Sequence, residues 1–200
     1  MKKLTVTAGY LPALKADDIN WQTLVFNHPD AVLEVAVPLL TAEQITISVE
    51  SVKRASQTCL KSLTVKEIIT IIDKAIARLL DRNDPYRQQA EKMLYLVTGY
   101  DQEMIRLGLT SYLRTFRQPQ LQKFVTEDFS NPCLLDQFQP IPKGGFAKAV
   151  SPSLIVHVWA GNVPGLSLWS LISGLLVKSG NIGKLSSLEP LFASWFCTLN

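Results

Sequence analysis

Residues 154–159, Leu-Ile-Val-His-Val-Trp, constrain this chain more than any other stretch. They form a strand-length apolar run, rich in β-branched side chains and closed by the turn Ala160-Gly161-Asn162-Val163-Pro164-Gly165. Leu166, Trp169, Ile172, Leu176 and Val177 then recur at helical spacing, and Leu168, Leu171 and Leu175 make that helix apolar nearly all round. Asn181-Ile182-Gly183 leads to a second short strand around Lys184-Leu185, with Pro190 placed to open a further helix as its first residue. Strand, loop, helix, strand, helix predicts a parallel βαβ unit with a right-handed crossover.

Ligands of an open parallel sheet sit at the carboxyl ends of its strands, where loops turn into helices. The loop 161–165 is such a place. Gly161 and Gly165 remove side chains where a ligand could approach the backbone, and the helix N-terminus that follows attracts anions. Asn162 offers a neutral side-chain donor for a developing oxyanion. Lys184, where the second strand begins, adds a cation, and Ser186 and Ser187 add hydroxyls, a set that suits a ribose or a phosphate. On the residues alone, blander uses stand beside these: Lys184 as a solvated lysine, Asn162 as a turn former, Ser186 and Ser187 as helix caps.

Gly161-Asn162-Val163-Pro164, followed by Lys178-Ser179-Gly180-Asn181 and by Lys184-Leu185-Ser186-Ser187-Leu188-Glu189-Pro190, resembles the aldehyde dehydrogenase superfamily. The nearer match is its acyl-CoA reductase branch, the fatty acyl-CoA reductases of bacterial bioluminescence and their relatives. Thr98-Gly99-Tyr100, Leu135-Asp136 and the glycine pair 144–145 also look like that branch. The resemblance runs from about Tyr86 onward and is weak before Leu63. It implies an α/β fold in which N-terminal helices lead into a Rossmann-like βαβ unit. It also implies reduction of an acyl-CoA or acyl-protein thioester to the aldehyde, through a cysteine acyl-enzyme and with hydride from NADPH. Asn162 would then support the thioester oxygen, and Lys184, Ser186, Ser187 and Gly161 would hold the cofactor. The wider superfamily usually carries a carboxylate three residues after the lysine, able to hold both ribose hydroxyls of NAD. That position is Ser187 here, and a missing carboxylate cannot repel a 2′-phosphate, so NADPH is expected.

The remainder of the chain reads as helices. Thr41-Ala42-Glu43-Gln44 and Thr64-Val65-Lys66-Glu67 are capping-box patterns. Ile45, Val49 and Val52 follow the first, and Ile68, Ile72, Ala75, Ile76 and Leu79 follow the second as a clear apolar face. Asp84-Pro85 caps a third helix to Val97, with Gly99 at its left-handed end. Ile105, Leu109, Tyr112, Leu113 and Phe116 mark a fourth, stopped by Pro119, and Leu121, Phe124 and Val125 a short fifth. Before these, Gln22–Asn27 and Ala31–Pro38 flank a His28-Pro29-Asp30 turn as a hairpin that covers a sheet edge or an oligomer contact. Residues 130–150 connect the helices to the βαβ stretch. The chain therefore divides into a β/α lead-in (1–62), a helical segment (63–130) and the first part of a cofactor-binding α/β domain (131–200).

With 47% hydrophobic and 18% charged residues, the chain is a folded one, and a net charge of +3 without a basic stripe gives no reason to expect nucleic acid. Residues 149–177 carry no charge, yet Pro152, Gly161-Asn162 and Pro164 interrupt them, so no membrane span is expected. The opening Met1-Lys2-Lys3-Leu4 does not develop into a signal peptide, and Cys59, Cys133 and Cys197 lack paired spacing, which fits reduced thiols in the cytoplasm. His157 reads as a satisfied core or rim histidine, and no metal-ligand spacing is visible. Cys197 lies among Trp195, Phe196 and Leu199, a setting that leaves a thiol inert. No cysteine here qualifies as the nucleophile. Two parallel strands do not make a buried sheet, so the expectation is an N-terminal part of a longer enzyme, inactive alone. The alternative is a non-catalytic module that needs a partner chain to complete its sheet.

Overall fold

The structure, a computed structural model, describes residues 2–129, 131–161 and 163–199. Its first element is a strand that the sequence did not suggest: β1 (Lys2–Thr7) pairs in parallel with β3 (Ala31–Leu39), which pairs antiparallel with β2 (Asn20–Asn27). The β2–β3 hairpin is the one expected, closed by His28 N–H to Ala31 C=O at 3.1 Å. The alternation in β3 buries Ala31, Leu33 and Val35 on one face.

Five helices follow, the first four started by the local chemistry of their first turns. α1 (Ala42–Thr58) and α2 (Val65–Leu80) both open with complete capping boxes, Thr41 with Gln44 and Thr64 with Glu67. α3 (Pro85–Thr98) is capped by Asp84, whose carboxylate accepts the Tyr86 N–H at 2.9 Å, and it ends at Gly99 with φ +74°. α4 (Gln102–Arg114) is capped by Asp101. It ends before Pro119, which instead lies in the first turn of α5 (Gln118–Asp128), where its missing N–H costs nothing. The α2 face of Ile68, Ile69, Ile72, Ile76 and Leu79 is buried against α3, α4, α5 and the crossover helix. Each such side chain contributes about 2 kcal/mol.

The connection after α5 contains a single 3-10 turn, Pro132–Leu135, and a two-residue hairpin, β4 (Gln139–Pro140) with β5 (Phe146–Ala147). Then comes the expected unit. β6 (Leu154–Val158) pairs in parallel with β7 (Gly180–Lys184), joined by α6 (Ser167–Leu176), and α7 (Phe192–Cys197) closes the described chain. The fold is α/β, with helices leading into parallel strands.

Two positions differ from expectation. β7 begins at Gly180, so Lys184 ends this strand rather than beginning it. The buried Gly180 and the half-buried Ile182 pair with Leu154 and Val156 where a more polar reading of Asn181-Ile182-Gly183 suggested a lead-in. Pro190 lies outside α7, because the Glu189 carboxylate caps the turn after it, accepting the N–H groups of Leu191 and Phe192, both at 2.8 Å.

Candidate functional site

The carboxyl ends of β6 and β7 lie side by side. Val158 pairs with Lys184, and the Trp159 N–H donates to the Lys184 carbonyl at 3.2 Å. The loops that leave these ends are in contact. A Cβ added at Gly161 would meet Ser186 Oγ, Leu188 Cβ at 2.8 Å and the Glu189 nitrogen at 2.9 Å, so only glycine lets the first loop lie against the second. Gly161, Ser186 and the strand-end Lys184 are thus brought together. Lys184 and Ser187 are exposed and Ser186 half-buried. Asn162 lies outside the described residues.

The first loop is held from below. Gly165 has φ +79°, and a Cβ there would meet Phe192 at 3.1 Å and Tyr112 at 3.2 Å. The Tyr112 hydroxyl is 3.5 Å from the Leu166 carbonyl, and burial pushes its phenol up to about 12, so it stays a neutral donor. Tyr112 meets Phe116 edge-on, and Phe116 and Phe124 both lie against Trp169 of α6. Neither Tyr112 nor Phe192 was legible as a neighbour of this loop. The helical spacing of Tyr112 marks it as core, and nothing local ties it to a carbonyl 54 residues away.

On the α6 side of the strand pair, His157 is buried, its Nε2 2.9 Å from Asn181 Oδ1, and its ring stacks on Trp159. Trp159 lies over Gly183 and donates its indole N–H to Ser170 Oγ at 2.8 Å. The histidine is a satisfied core residue, as its alternation with Val156 and Val158 suggested.

Ser186 Oγ accepts the Leu188 N–H at 3.2 Å and so closes its own loop. The cap of α7 comes from Glu189 instead, which stands in the Lys184–Pro190 motif but shows no capping role in the sequence. That carboxylate, the acid nearest to Lys184 along the chain, is buried and turned toward the α7 amides. Burial raises its pKa, against the lowering by the Phe192 and Leu191 N–H groups. The exposed surface from Lys184 to Leu188 therefore carries a cation and hydroxyls and no carboxylate of its own. Such a surface can take a phosphorylated ribose.

Cys197 lies in α7, where burial pushes its thiol up to about 11. Cys59 ends α1 and Cys133 lies in the 3-10 turn, both exposed and both on elements other than the two loops. Among the described residues, no helix is long and apolar enough to cross a membrane.

A sequence profile of the acyl-CoA reductase (LuxC) family matches residues 60–199. The chain is 27% identical over 167 residues to long-chain acyl-protein thioester reductase 2 of Photobacterium leiognathi. It is 26% identical over 163 residues to the long-chain acyl-protein thioester reductase of Photobacterium phosphoreum. Each alignment covers 80% of this chain and 32% of the relative, so the chain spans a minor part of their length. The crystal structure of aldehyde dehydrogenase 21 from Physcomitrella patens, in complex with succinate, superposes with a TM-score of 0.70 at 16% identity. That superposition covers 98% of this chain and 41% of the dehydrogenase, and shows the fold alone. With 140 of its 200 residues inside the family profile (60 to 199 inclusive), the chain belongs to the acyl-CoA reductase (LuxC) family.

Proposed function

We propose that this chain is the cofactor-side part of a reductase that converts a long-chain acyl thioester, carried by a protein or by coenzyme A, to the fatty aldehyde with NADPH. One observation carries the reading: Gly161 packs on Ser186, which joins the loop bearing Asn162 to the strand end bearing Lys184. The family match and the names of the Photobacterium relatives support the reaction class. NADPH, when bound, supplies hydride to the acyl carbon. The balance is thioester, NADPH and a proton going to aldehyde, NADP and free thiol.

In this reading Lys184 pairs with the phosphate of the adenosine ribose, and Ser186 and Ser187 donate to its oxygens. Asn162 donates its amide N–H to the thioester oxygen as charge develops there. The buried Glu189 supports the preference for a phosphorylated ribose, because it leaves no carboxylate beside Lys184 to repel it. The thiolate that accepts the acyl group is supplied from outside these 200 residues. A buried thiol at about 11 is a poor nucleophile at neutral pH, and the other two cysteines lie on elements other than the two loops.

Titration calorimetry of the chain with NADPH and NADH tests the cofactor assignment. Tighter binding of NADPH is expected, with Lys184→Ala weakening it and Ser187→Glu shifting preference toward NADH. Equal binding of the two cofactors, unchanged by Ser187→Glu, would sink it.

A second reading, a non-catalytic module completed by a partner chain, is favoured by one observation. Among the described residues β6 is paired only by β7, and its Val156 and Val158 are 65% and 76% exposed. A parallel pair with an unpaired edge calls for further strands, and its open apolar face for a covering layer. Hydrogen exchange at the Val156 and Val158 amides, which point away from β7, separates the two: protection in the chain alone counts against a missing partner strand.

A further inference from the structure

The loop that carries Gly161 and Asn162 leaves the sheet at Trp159, just past the end of β6, and enters α6 at Ser167. One side chain spans its base. Trp159 Nε1–H donates to Ser170 Oγ at 2.8 Å, and that hydroxyl donates in turn to the Ser167 carbonyl at 3.2 Å. The entry of the loop is thus bound to its exit by two residues that stand 11 apart in the chain.

The indole is itself held in place. Its ring stacks on His157, two residues back on the same face of the strand, with centroids 5.6 Å apart and planes 17° from parallel. It also lies over Gly183, where an added Cβ would come within 2.6 Å of its Cζ2. The imidazole is oriented in turn. Asn181 Nδ2 donates to the Ser179 carbonyl at 2.7 Å, which leaves Asn181 Oδ1 to accept from His157 Nε2 at 2.9 Å. Asn181 rests against α6 at Gly174, where a Cβ would meet its Cγ at 2.9 Å. Two glycines therefore give up side chains to make room for this group. A leucine at 159 would fill the space over Gly183 with no tie to Ser170.

We propose that Trp159 is a positioning residue: its indole, oriented by His157 and tied to Ser170, holds the loop from Gly161 to Gly165 in the shape that receives a ligand. The consequence for a cofactor rests on the reductase reading, in which Gly161 contacts NADPH, whereas the tie itself does not. A loop ordered beforehand spares the ligand the cost of ordering it. Apparent affinity falls with the fraction of molecules whose loop is competent to bind. Trp159 acts through the loop and touches no reacting atom.

The test reads amide hydrogen exchange in the chain itself at Leu166 and Leu168, whose N–H groups donate to the Val163 carbonyl at 3.3 Å and the Gly165 carbonyl at 2.9 Å. Ser170→Ala, a change at an exposed side chain, should speed exchange at both by about fivefold, the weight of one hydrogen bond. Ser170→Thr keeps the hydroxyl and should restore the parent rate. Trp159→Phe keeps an aromatic ring beside His157 and loses the N–H donor. On that background Ser170→Ala should have no further effect. Titration calorimetry should show NADPH binding about two- to fivefold weaker in Ser170→Ala and restored in Ser170→Thr. A loss of overall stability that leaves the chain folded does not change an affinity, so this readout separates positioning from mere support. Unchanged exchange in Ser170→Ala, or an equal further loss on the Trp159→Phe background, overturns the proposal. So does unchanged NADPH affinity in a variant whose loop has loosened. If the parent binds no NADPH, the cofactor reading falls, while the exchange cycle still decides whether Trp159 holds the loop.

Discussion

The Lys178 ammonium lies 2.6 Å from Asp136 Oδ1, and that same oxygen accepts the Val65 N–H at 3.0 Å. One carboxylate oxygen thus joins the crossover of the βαβ unit to the first turn of α2. Lys178 holds its place at φ +61°, a left-handed conformation unusual for a side chain of its size, and its carbonyl accepts the Ser56 hydroxyl of α1 at 3.2 Å.

The pair is unequally buried, the Lys178 side chain 8% exposed and Asp136 24%. Removing one partner should therefore cost more when it strands the lysine. Asp136→Ala leaves a buried ammonium alone and an uncapped Val65 N–H, and about 3 kcal/mol is expected. Lys178→Met leaves a carboxylate that still accepts an N–H and reaches water, so its cost should be clearly smaller. Urea denaturation of the two variants checks the order, and equal costs would refute the asymmetry.

Gly165 is a second position, after Gly161, where the loop tolerates no side chain. Alanine there brings the left-handed strain of about 1 kcal/mol together with contacts at 3.1 and 3.2 Å to Phe192 and Tyr112. Gly165→Ala should lower stability by about 2 kcal/mol. Adding Phe192→Leu makes room but leaves the φ strain, so the melting temperature should not return even after correction for the Phe192→Leu loss alone. Full recovery would mean that crowding, not conformation, fixes this glycine.

Helix starts were legible because they are local: Thr41 with Gln44, Thr64 with Glu67 and Asp84 with Pro85 are read within four residues. The βαβ unit was legible for the same reason, a change of period between His157 and Trp169. What escaped was non-local. β1 becomes a strand only because Ala31–Leu39 lies beside it, 29 residues later in register from Lys2 to Ala31. Pro119 starts a helix rather than stopping one, because an acceptor for the turn comes from α2. In the candidate site the residue types were visible, but that Gly161 rests on Ser186, that Tyr112 lies under Gly165 and that Glu189 turns inward are facts of packing.

The α2 acceptor for Pro119's turn is Asp73. Its carboxylate takes the Gln118 N–H at 2.7 Å and Arg117 Nε at 2.5 Å, giving α5 the cap that Arg117 cannot supply. The Arg117 hydrogen bond holds the carboxyl below its ordinary value of 3.8. A depressed folded-state pKa contributes stability above the unfolded value, lost as pH falls through the folded one. The chain should lose stability below about pH 4 partly through this group. Asp73→Ala should cost about 1 kcal/mol at pH 7, the size of a lost cap, and flatten the acid limb of the denaturation profile. Arg117 is 41% exposed, which keeps the ion pair's own share small.

Glu189 runs the opposite way. Burial raises its pKa above the ordinary 4.5 although two N–H groups bind it. The folded chain therefore holds this proton more tightly than the unfolded one. Its contribution is fully present below about pH 4.5 and is lost as pH rises through the folded value. Glu189→Gln keeps an oxygen for the Leu191 and Phe192 amides and carries no charge, so it should remove this loss and leave the variant relatively more stable at neutral pH than at pH 4. Glu189→Ala removes the cap and should cost about 1 kcal/mol at every pH. Urea midpoints from pH 4 to 8 separate the two. A Glu189→Gln profile parallel to that of the parent would show that the buried carboxylate is fully paid for by its two amide partners, and NADPH binding to the same variant should be unchanged, because Glu189 faces the core and not Lys184.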